Sequence, residues 1–523
     1  MKRTASLVLV CSMLLALLGL AAPALSETAY KDHFFFATAN DQDTLDPQWN
    51  VSNDKVLKQV YSGLVTRNAE GTLIGDLATE WSVGEDQLTW TFKLREGVTF
   101  HDGTPFNAAA VKATYDRLMD TANPTRYTDQ VNGFIAQVNV VDDFTVELVT
   151  KGPSGAFLAN LVGPSHLIIN PTAIAQFGNE LGKTPDAVSG TGPYKVVAWD
   201  KDEQMEFEAF EDYYGGVPAT RSFTILVIPE ANSRTIAIET RQVDIADGIS
   251  GDDLLRLDAM DGIKVVKIKS IGQHLFQFNT SEQSILKDAR LRQAISYALD
   301  RQEIVDTLYP GDDASTAPLS PRTFGYHNFG TIQQDQAKAR ELMKEAGYEN
   351  GFDIKLMVTP VYVKGVEMGE LIKSQLAEVG INVNLEVVER AVFIASLGGL
   401  TPEQYAETYG YNMFIMGAGP STADAHGGLH RIWVTDPAGV NTNNYGFYSN
   451  KRVDELLNQG AAETDQEKRK DIYREAMQIL YLDDPVGVWM NDRYNAYVMS
   501  DKVENFSAGV TGVIYFNQIK VAK

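Results

Sequence analysis

The sequence predicts an α/β protein of two or three domains, one of which carries an open, largely parallel sheet. Three observations lead there. Residues 352–387 read as strand, helix and strand in succession, which is the pattern of a parallel pair with its crossover. Half-buried strands of period two occur much earlier in the chain, before any such unit. The chain is also long, 523 residues of which 44% are hydrophobic, more than one core usually accommodates.

The N-terminus comes first. Lys2 and Arg3 precede an apolar run from Leu7 to Ala22, and Ala22-Pro23-Ala24-Leu25-Ser26 supplies small residues for cleavage before Glu27. Residues 1–26 therefore read as a signal peptide, and the mature chain as a periplasmic protein. The competing reading is an uncleaved anchor, but Ser12 and Gly19 interrupt the run and a cleavage signal follows it. Cys11 is the single cysteine. It follows Val10 near the start of the run, not a small residue at its end, so lipidation is not expected. The mature chain then carries no disulfide framework and no thiolate.

Next come the early strands. Leu88, Trp90, Phe92 and Leu94 alternate with Thr89, Thr91 and Lys93, and Phe144, Val146 and Leu148 repeat the pattern. Residues 67–187 thus read as a separate insert. Farther on, Leu291, Ala294, Ile295, Ala298 and Leu299 mark one helical face. Ala339, Leu342, Met343 and Ala346 mark another, with Asp335 placed to cap its start and Gly347 its end. A strand (Phe352, Ile354, Leu356, Val358), a helix (Met368, Leu371, Ile372, Leu376, Val379) stopped by Gly380, and a strand (Ile381, Val383, Leu385, Val387) make the β-α-β unit. A further strand, 411–416, runs into a loop rich in Gly, Ser, Asp and His. Open sheets of this kind hold ligands beyond the carboxyl ends of their strands. Loops 359–365 and 417–432 are accordingly the first candidates for a site.

Composition narrows the function. Acidic residues number 69 against 45 basic, a net charge of −24 that becomes −26 once Lys2 and Arg3 leave with the leader. Such a chain repels nucleic acid and anionic membranes. The sequence contains neither G-x-S-x-G nor H-E-x-x-H. Gly178 to Thr184 approaches a phosphate loop but is one residue short and runs into Pro185, so it cannot open a helix onto a phosphate. Asp424, His426 and His430 have metal-like spacing, yet Gly427-Gly428 between them argues for the polar lining of a pocket. No enzyme activity, metal or cofactor is expected, and the chain reads as a monomer.

Several collinear motifs then mark a resemblance: Thr44-Leu-Asp-Pro47, Val60-Tyr-Ser-Gly-Leu64, Leu77-Ala-Thr-Glu-Trp81, Thr89-Trp-Thr-Phe-Lys-Leu-Arg-Glu-Gly97, Phe100-His-Asp-Gly-Thr-Pro-Phe106, Gly190-Thr-Gly-Pro-Tyr-Lys195, Gln242-Val-Asp-Ile245, Phe278-Asn-Thr280, Asp288-x-Arg290-x-Arg292-x-Ala294 with Asp300-Arg301, and Tyr448-Ser-Asn450 with Val453-Asp-Glu-Leu-Leu457. Over essentially the whole mature chain the sequence resembles the extracellular solute-binding proteins of ABC importers, family 5, the dipeptide, oligopeptide and nickel class. The resemblance implies a periplasmic-binding-protein type II-like fold, with two hinged lobes closing on a ligand and an extra third domain. It implies a discontinuous lobe I (27–66, 188–272 and 488–523), an extra domain II (67–187) and a lobe III (273–487). The partners implied are a small-molecule or peptide ligand and the membrane permease subunits of the importer. His101, Arg290 and Arg292 read as residues that hold the fold.

Peptide binders of this family often carry Trp-x-x-Asp-x-x-Asp-Pro after the strand, the first Asp taking the peptide ammonium. Here Ala418 replaces the Trp, Ser421 the first Asp, and Asp424 alone remains. The stretch from Ser421 to Trp433 looks closer to the glutathione-binding branch; opine, oligosaccharide and metal-complex binders stay open, with a periplasmic chaperone or hydrolase as remote readings. Within the loop, Gly417 and Gly419 allow a ligand close to the backbone, and Ser421, Thr422, Asp424 and His430 offer polar groups. Arg431 is able to grip a carboxylate with both arms or to form a surface ion pair. Trp433 suits a flat wall or a core position equally. Gln273, His274 and Tyr362 are further candidates from the same lobe.

Overall fold

In a computed structural model, the protein is described over residues 29–51, 55–420 and 422–523. The proposed signal peptide lies outside the described residues. Within them no helix is long and apolar enough to cross a membrane.

The architecture hangs on two unusually long strands, Ile263–Phe278 and Gly487–Ser500, paired antiparallel along nearly their whole length. They form the centre of an eleven-stranded sheet. Gln273 to Phe278 also pairs with Met413–Ala418, which leads by parallel pairing to Phe352–Val358 and then Ile381–Val387. At the other end, residues 497–499 pair with Ile245–Asp247, which is followed by His33–Thr38 and Ser222–Val227, again parallel. Gln204–Ala209 and Tyr194–Asp200 close that edge in antiparallel fashion. The two long strands are thus a ribbon shared by two half-sheets. Their register shifts between Lys269 and Gln273 and again between His274 and Leu275, and such bulges bend a ribbon and increase its twist.

The β-α-β reading matches these elements closely. Helix Gly365–Glu378 buries Met368, Ile372 and Leu376, and Gly380, at φ +90°, turns the chain into Ile381–Val387. Only glycine takes that left-handed turn without strain. Asp335 caps Gln336–Glu345 by accepting from the Lys338 N–H at 2.8 Å. The next strand begins two residues later than its pattern suggests, at Met413. Tyr411, although buried, precedes the ladder and bonds Glu386 through its hydroxyl.

A four-stranded antiparallel sheet stands apart from the ribbon, in the order Ala78–Val83, Thr89–Leu94, Thr145–Thr150, Ile135–Asp142. Trp90, Phe92 and Leu94 face inward while Lys93 faces water. They join Phe100, Tyr115, Val146, Leu148 and Phe157 in a core of their own. His101, Arg290 and Arg292 bond chiefly to backbone and neighbouring carboxylates. His101 Nε2 meets the Gly192 carbonyl at 2.9 Å, and Arg290 reaches Asp288 and the Glu345 carbonyl. Buried Arg292 ties the Pro485 and Leu286 carbonyls to Asp484.

Where the ribbon register shifts, Asp492 points to the buried face. Its Oδ1 accepts from Gln273 Nε2 at 2.7 Å and Ser315 Oγ at 3.1 Å. Burial pushes this carboxyl up to about 6, against the opposing effect of those two hydrogen bonds. The native state therefore holds a proton between about pH 4 and 6 that the unfolded chain has released. Stability from this group is present below pH 4 and lost as pH rises through 6. Asp492→Asn keeps the accepting oxygen and removes the charge. Chemical denaturation across pH 4 to 7.5 should show the variant gaining about 2–3 kcal/mol on the unsubstituted protein as pH rises; a pH-independent difference would contradict this.

Candidate functional site

The parallel strands of both half-sheets end at a cleft of about 600 Å³ that the ribbon floors, within the roughly 300–1,000 Å³ typical of small-molecule sites. On one side Asp247 ends its strand. Gly248, at φ +64°, then turns the chain into helix Gly251–Asp258, which Ser250 caps by accepting from the Asp253 N–H. That helix presents Asp252, Leu254, Leu255 and Asp258 to the cleft. Facing it are Thr307 and Leu308 at the end of helix Arg301–Leu308, Tyr309, Pro310 and Asp312 after it, and Val363 with Lys364, beyond strand Phe352–Val358. The floor is Val265, Lys267, His274 and residues 493–497.

The charged groups are organised. Lys55 pairs with Asp247, Lys267 Nζ donates to the Pro310 carbonyl at 2.9 Å, and Lys364 Nζ stands 3.5 Å from Asp252 across the mouth. Asp312 Oδ2 accepts from Asn491 Nδ2 at 2.8 Å, which turns the Asn491 carbonyl oxygen toward His274 Nδ1 at 2.9 Å. Nδ1 must then carry the imidazole proton, leaving Nε2 as an acceptor. Burial, aided by the nearby positive charge of Arg493, pushes His274 down to about 4, so the ring is neutral at physiological pH. Tyr309 lies over it at 5.1 Å between ring centres and Tyr362 stands edge-on at 6.3 Å. Asp312 is raised to about 6 by burial. The cleft thus offers apolar walls, an acceptor nitrogen, an arginine and a salted mouth, an arrangement for holding a polar solute. Among the described residues no group of three or more His, Asp or Glu is placed to hold a metal.

The residues nominated from sequence divide sharply. His274 lines the cleft, and Tyr362 packs against it and over Gly417. Gln273 lies behind the floor, its Nε2 engaged by Ser315, the Ala317 carbonyl and Asp492. The loop after Met413–Ala418 turns away into the lobe instead of lining the cleft. Gly419, at φ +147°, presses on the ribbon so closely that a Cβ there would sit 2.5 Å from the Ile271 oxygen. The Thr422 carbonyl accepts from Arg67 at 2.6 Å. Buried Asp424 is held in a fork by Arg469, at 2.8 and 3.2 Å. His430 bonds Asn458 and faces His426; Arg431 is exposed outside the cleft lining. Trp433 is a core side chain packed on Trp489 and Tyr448, because the helical turn 431–433 aims it inward. Ser421 lies outside the described residues.

Sequence reasoning overlooked Tyr309, Asp312, Arg493 and the turn 247–258. One signal was available. Asn491-Asp492-Arg493 interrupts the apolar start of Gly487–Ser500 while Asn491 and Asp492 stay buried, and buried polar residues inside a central strand need partners.

Comparison with known proteins agrees with this geometry. Residues 72–439 match the family model "Bacterial extracellular solute-binding proteins, family 5 Middle". The glutathione-binding protein GsiB of Shigella boydii serotype 4 is 31% identical over 478 residues, covering 90% of this chain and 91% of its own. That of Pectobacterium atrosepticum is 32% identical over 437 residues, 82% of each chain. Among solved structures, the periplasmic binding protein DppA of Helicobacter pylori in complex with the peptide STSA superposes with a TM-score of 0.74 at 25% identity, over 94% of this chain and 98% of that one. HbpA2 of Haemophilus parasuis, at 22% identity, gives 0.82 over 94% and 100%.

Breaking the Asp424–Arg469 pair leaves a buried carboxylate without its counter-charge. Arg469→Met should cost about 3–5 kcal/mol, while Arg431→Ala, on the surface, should stay within about 0.5 kcal/mol. Urea denaturation of the two variants checks both.

Proposed function

The chain belongs to the bacterial extracellular solute-binding proteins, family 5, and from that premise we propose that its cleft captures a small peptide or peptide-like solute, of the glutathione or short-peptide kind. It then hands the solute to the membrane permease subunits of an ABC importer. The observation carrying this reading is the cleft itself, placed beyond the strand ends of both half-sheets and floored by the ribbon that joins them. The glutathione-binding relatives at 30% identity or more support the ligand class. The protein works as a monomer in the periplasm after losing residues 1–26, and it performs no chemistry on the solute.

The proposed division follows the cores. Residues 27–66, 188–272 and 488–523 make lobe I, whose core gathers Phe34, Phe36, Tyr194, Phe207, Phe223, Met499 and Phe516. Residues 67–187 make the extra domain. Residues 273–487 make lobe III, with one core under the β-α-β sheet and another around Trp433, Tyr473 and Tyr481, onto which Trp489 packs from the 488–523 segment. Lobes I and III meet at Lys364–Asp252. A solute touching both lobes binds the closed arrangement better than the open one, and only that difference can shift the balance between them. In this family reading the ribbon is the hinge, its register shift the point that flexes.

Two measurements check this. Native mass spectrometry of freshly purified protein should show a retained small molecule, and adding that molecule in excess to stripped protein should reduce the radius of gyration in X-ray scattering. No compaction at saturation would refute the trap. Intact mass of periplasmic material should correspond to a chain starting at Glu27; a species that keeps Met1, or carries lipid, would refute the processing.

A further inference from the structure

Four cations face the cleft, and three are engaged. Lys55 has Asp247, Lys267 the Pro310 carbonyl, and Lys364 both Asp252 and, at 3.8 Å, Glu367 of its own turn. Arg493 is different. Among the described residues no ion pair or hydrogen bond occupies its guanidinium, although the chain carries 69 acidic residues. Neighbouring carboxylates are committed elsewhere. Asp492, one residue away and so on the opposite face of the strand, is turned to Gln273 and Ser315. Asp312 holds Asn491. Its side chain lies along the ribbon beside Gly272, where a Cβ would be in ordinary contact with Arg493 Cδ at 3.6 Å and Nη1 at 3.7 Å. Arg493 is therefore an exposed, uncommitted fork of donors at the ribbon crossing, between the lobes. Beside it on the same floor, His274 presents an accepting Nε2 under the Tyr309 ring.

Building on the reading of the cleft as a peptide-type site, we propose that Arg493 receives the terminal carboxylate of the solute while His274 Nε2 accepts an N–H from the same residue. A planar guanidinium matches a carboxylate through two parallel hydrogen bonds. The C-terminal residue of a peptide carries a carboxylate and an amide N–H on either side of one Cα, the pair of groups that this floor can satisfy together. The ligand chemistry selected is thus a free acid, and a blocked C-terminus is discriminated against. The location adds a second role: an anion seated at the crossing contacts the hinge itself.

The test uses reduced glutathione, Met-Leu and Ser-Thr-Ser-Ala, each as free acid and as C-terminal amide, titrated calorimetrically into stripped protein and into Arg493→Gln and Arg493→Lys. The position is exposed, so unchanged melting curves establish that the variants fold. At least one acid should bind about tenfold or more tighter than its amide. Arg493→Gln should weaken the acid by a similar factor, leave the amide within about twofold and so erase the preference, with Arg493→Lys intermediate. If a probe binds and its acid preference survives in Arg493→Gln, or never existed, the assignment is overturned while the peptide reading stands. If none of the six binds the unsubstituted protein, the peptide reading itself is overturned and the assignment falls with it.

Discussion

One constraint organises this molecule: two strands, of 16 and 14 residues, serve two half-sheets at once. A ribbon that long, pleated and hydrogen-bonded throughout, would be stiff and straight if its register were unbroken. The shifts at 269–273 and 274–275 supply the bend, and everything else is arranged around them. The cleft exists because the half-sheets present their strand ends to the same side of that bend. The groups that floor it, His274 and Arg493, are ribbon residues at the shift. Their neighbours Gln273 and Asp492 face the other way and lock the crossing from behind.

The charges around the cleft of this strongly acidic protein are arranged locally. Its overall field repels negative solutes at a distance, but screening confines that field to about a Debye length at physiological salt. What matters at contact is local. The inner carboxylates are engaged by amides, hydroxyls or lysines, so few charges remain to oppose a guest. Burial keeps His274 neutral, which lets it accept a hydrogen bond where an imidazolium could only donate.

How much of this was legible in the sequence depends on the distance over which each feature is encoded. Elements specified by their own residues were read well. The alternation around Trp90, the Asp335 cap, the Gly380 stop and the β-α-β unit each rest on local periodicity or one turn. Topology points to the strand ends as the place to look, and of the two loops nominated there, 359–365 contributes Val363 and Lys364 to the cleft. The residues facing it were harder. Asp424 and Trp433 carry side chains suited to a pocket, but their roles are set by Arg469, 45 positions on, and by Trp489, 56 on. No window of sequence contains those partners. Arg493 was hidden for the opposite reason, since its significance lies in what it does not touch.

Sequence separation has one more consequence, for the order in which the molecule can be assembled. The bridge between Tyr30 and Ala522 joins segments made at opposite ends of synthesis, and the pairing of Ile245–Asp247 with residues 497–499 ties the middle of the chain to its end. A growing chain can complete the sheet around Trp90 early, because its strands are near neighbours. It cannot finish the half-sheet containing Phe34 and Phe36 until the last thirty or so residues exist, since contacts of such span close late and slowly. Until then several apolar strands wait without partners. A nascent chain of this protein is thus kept unfinished by its own topology until its last strands are made.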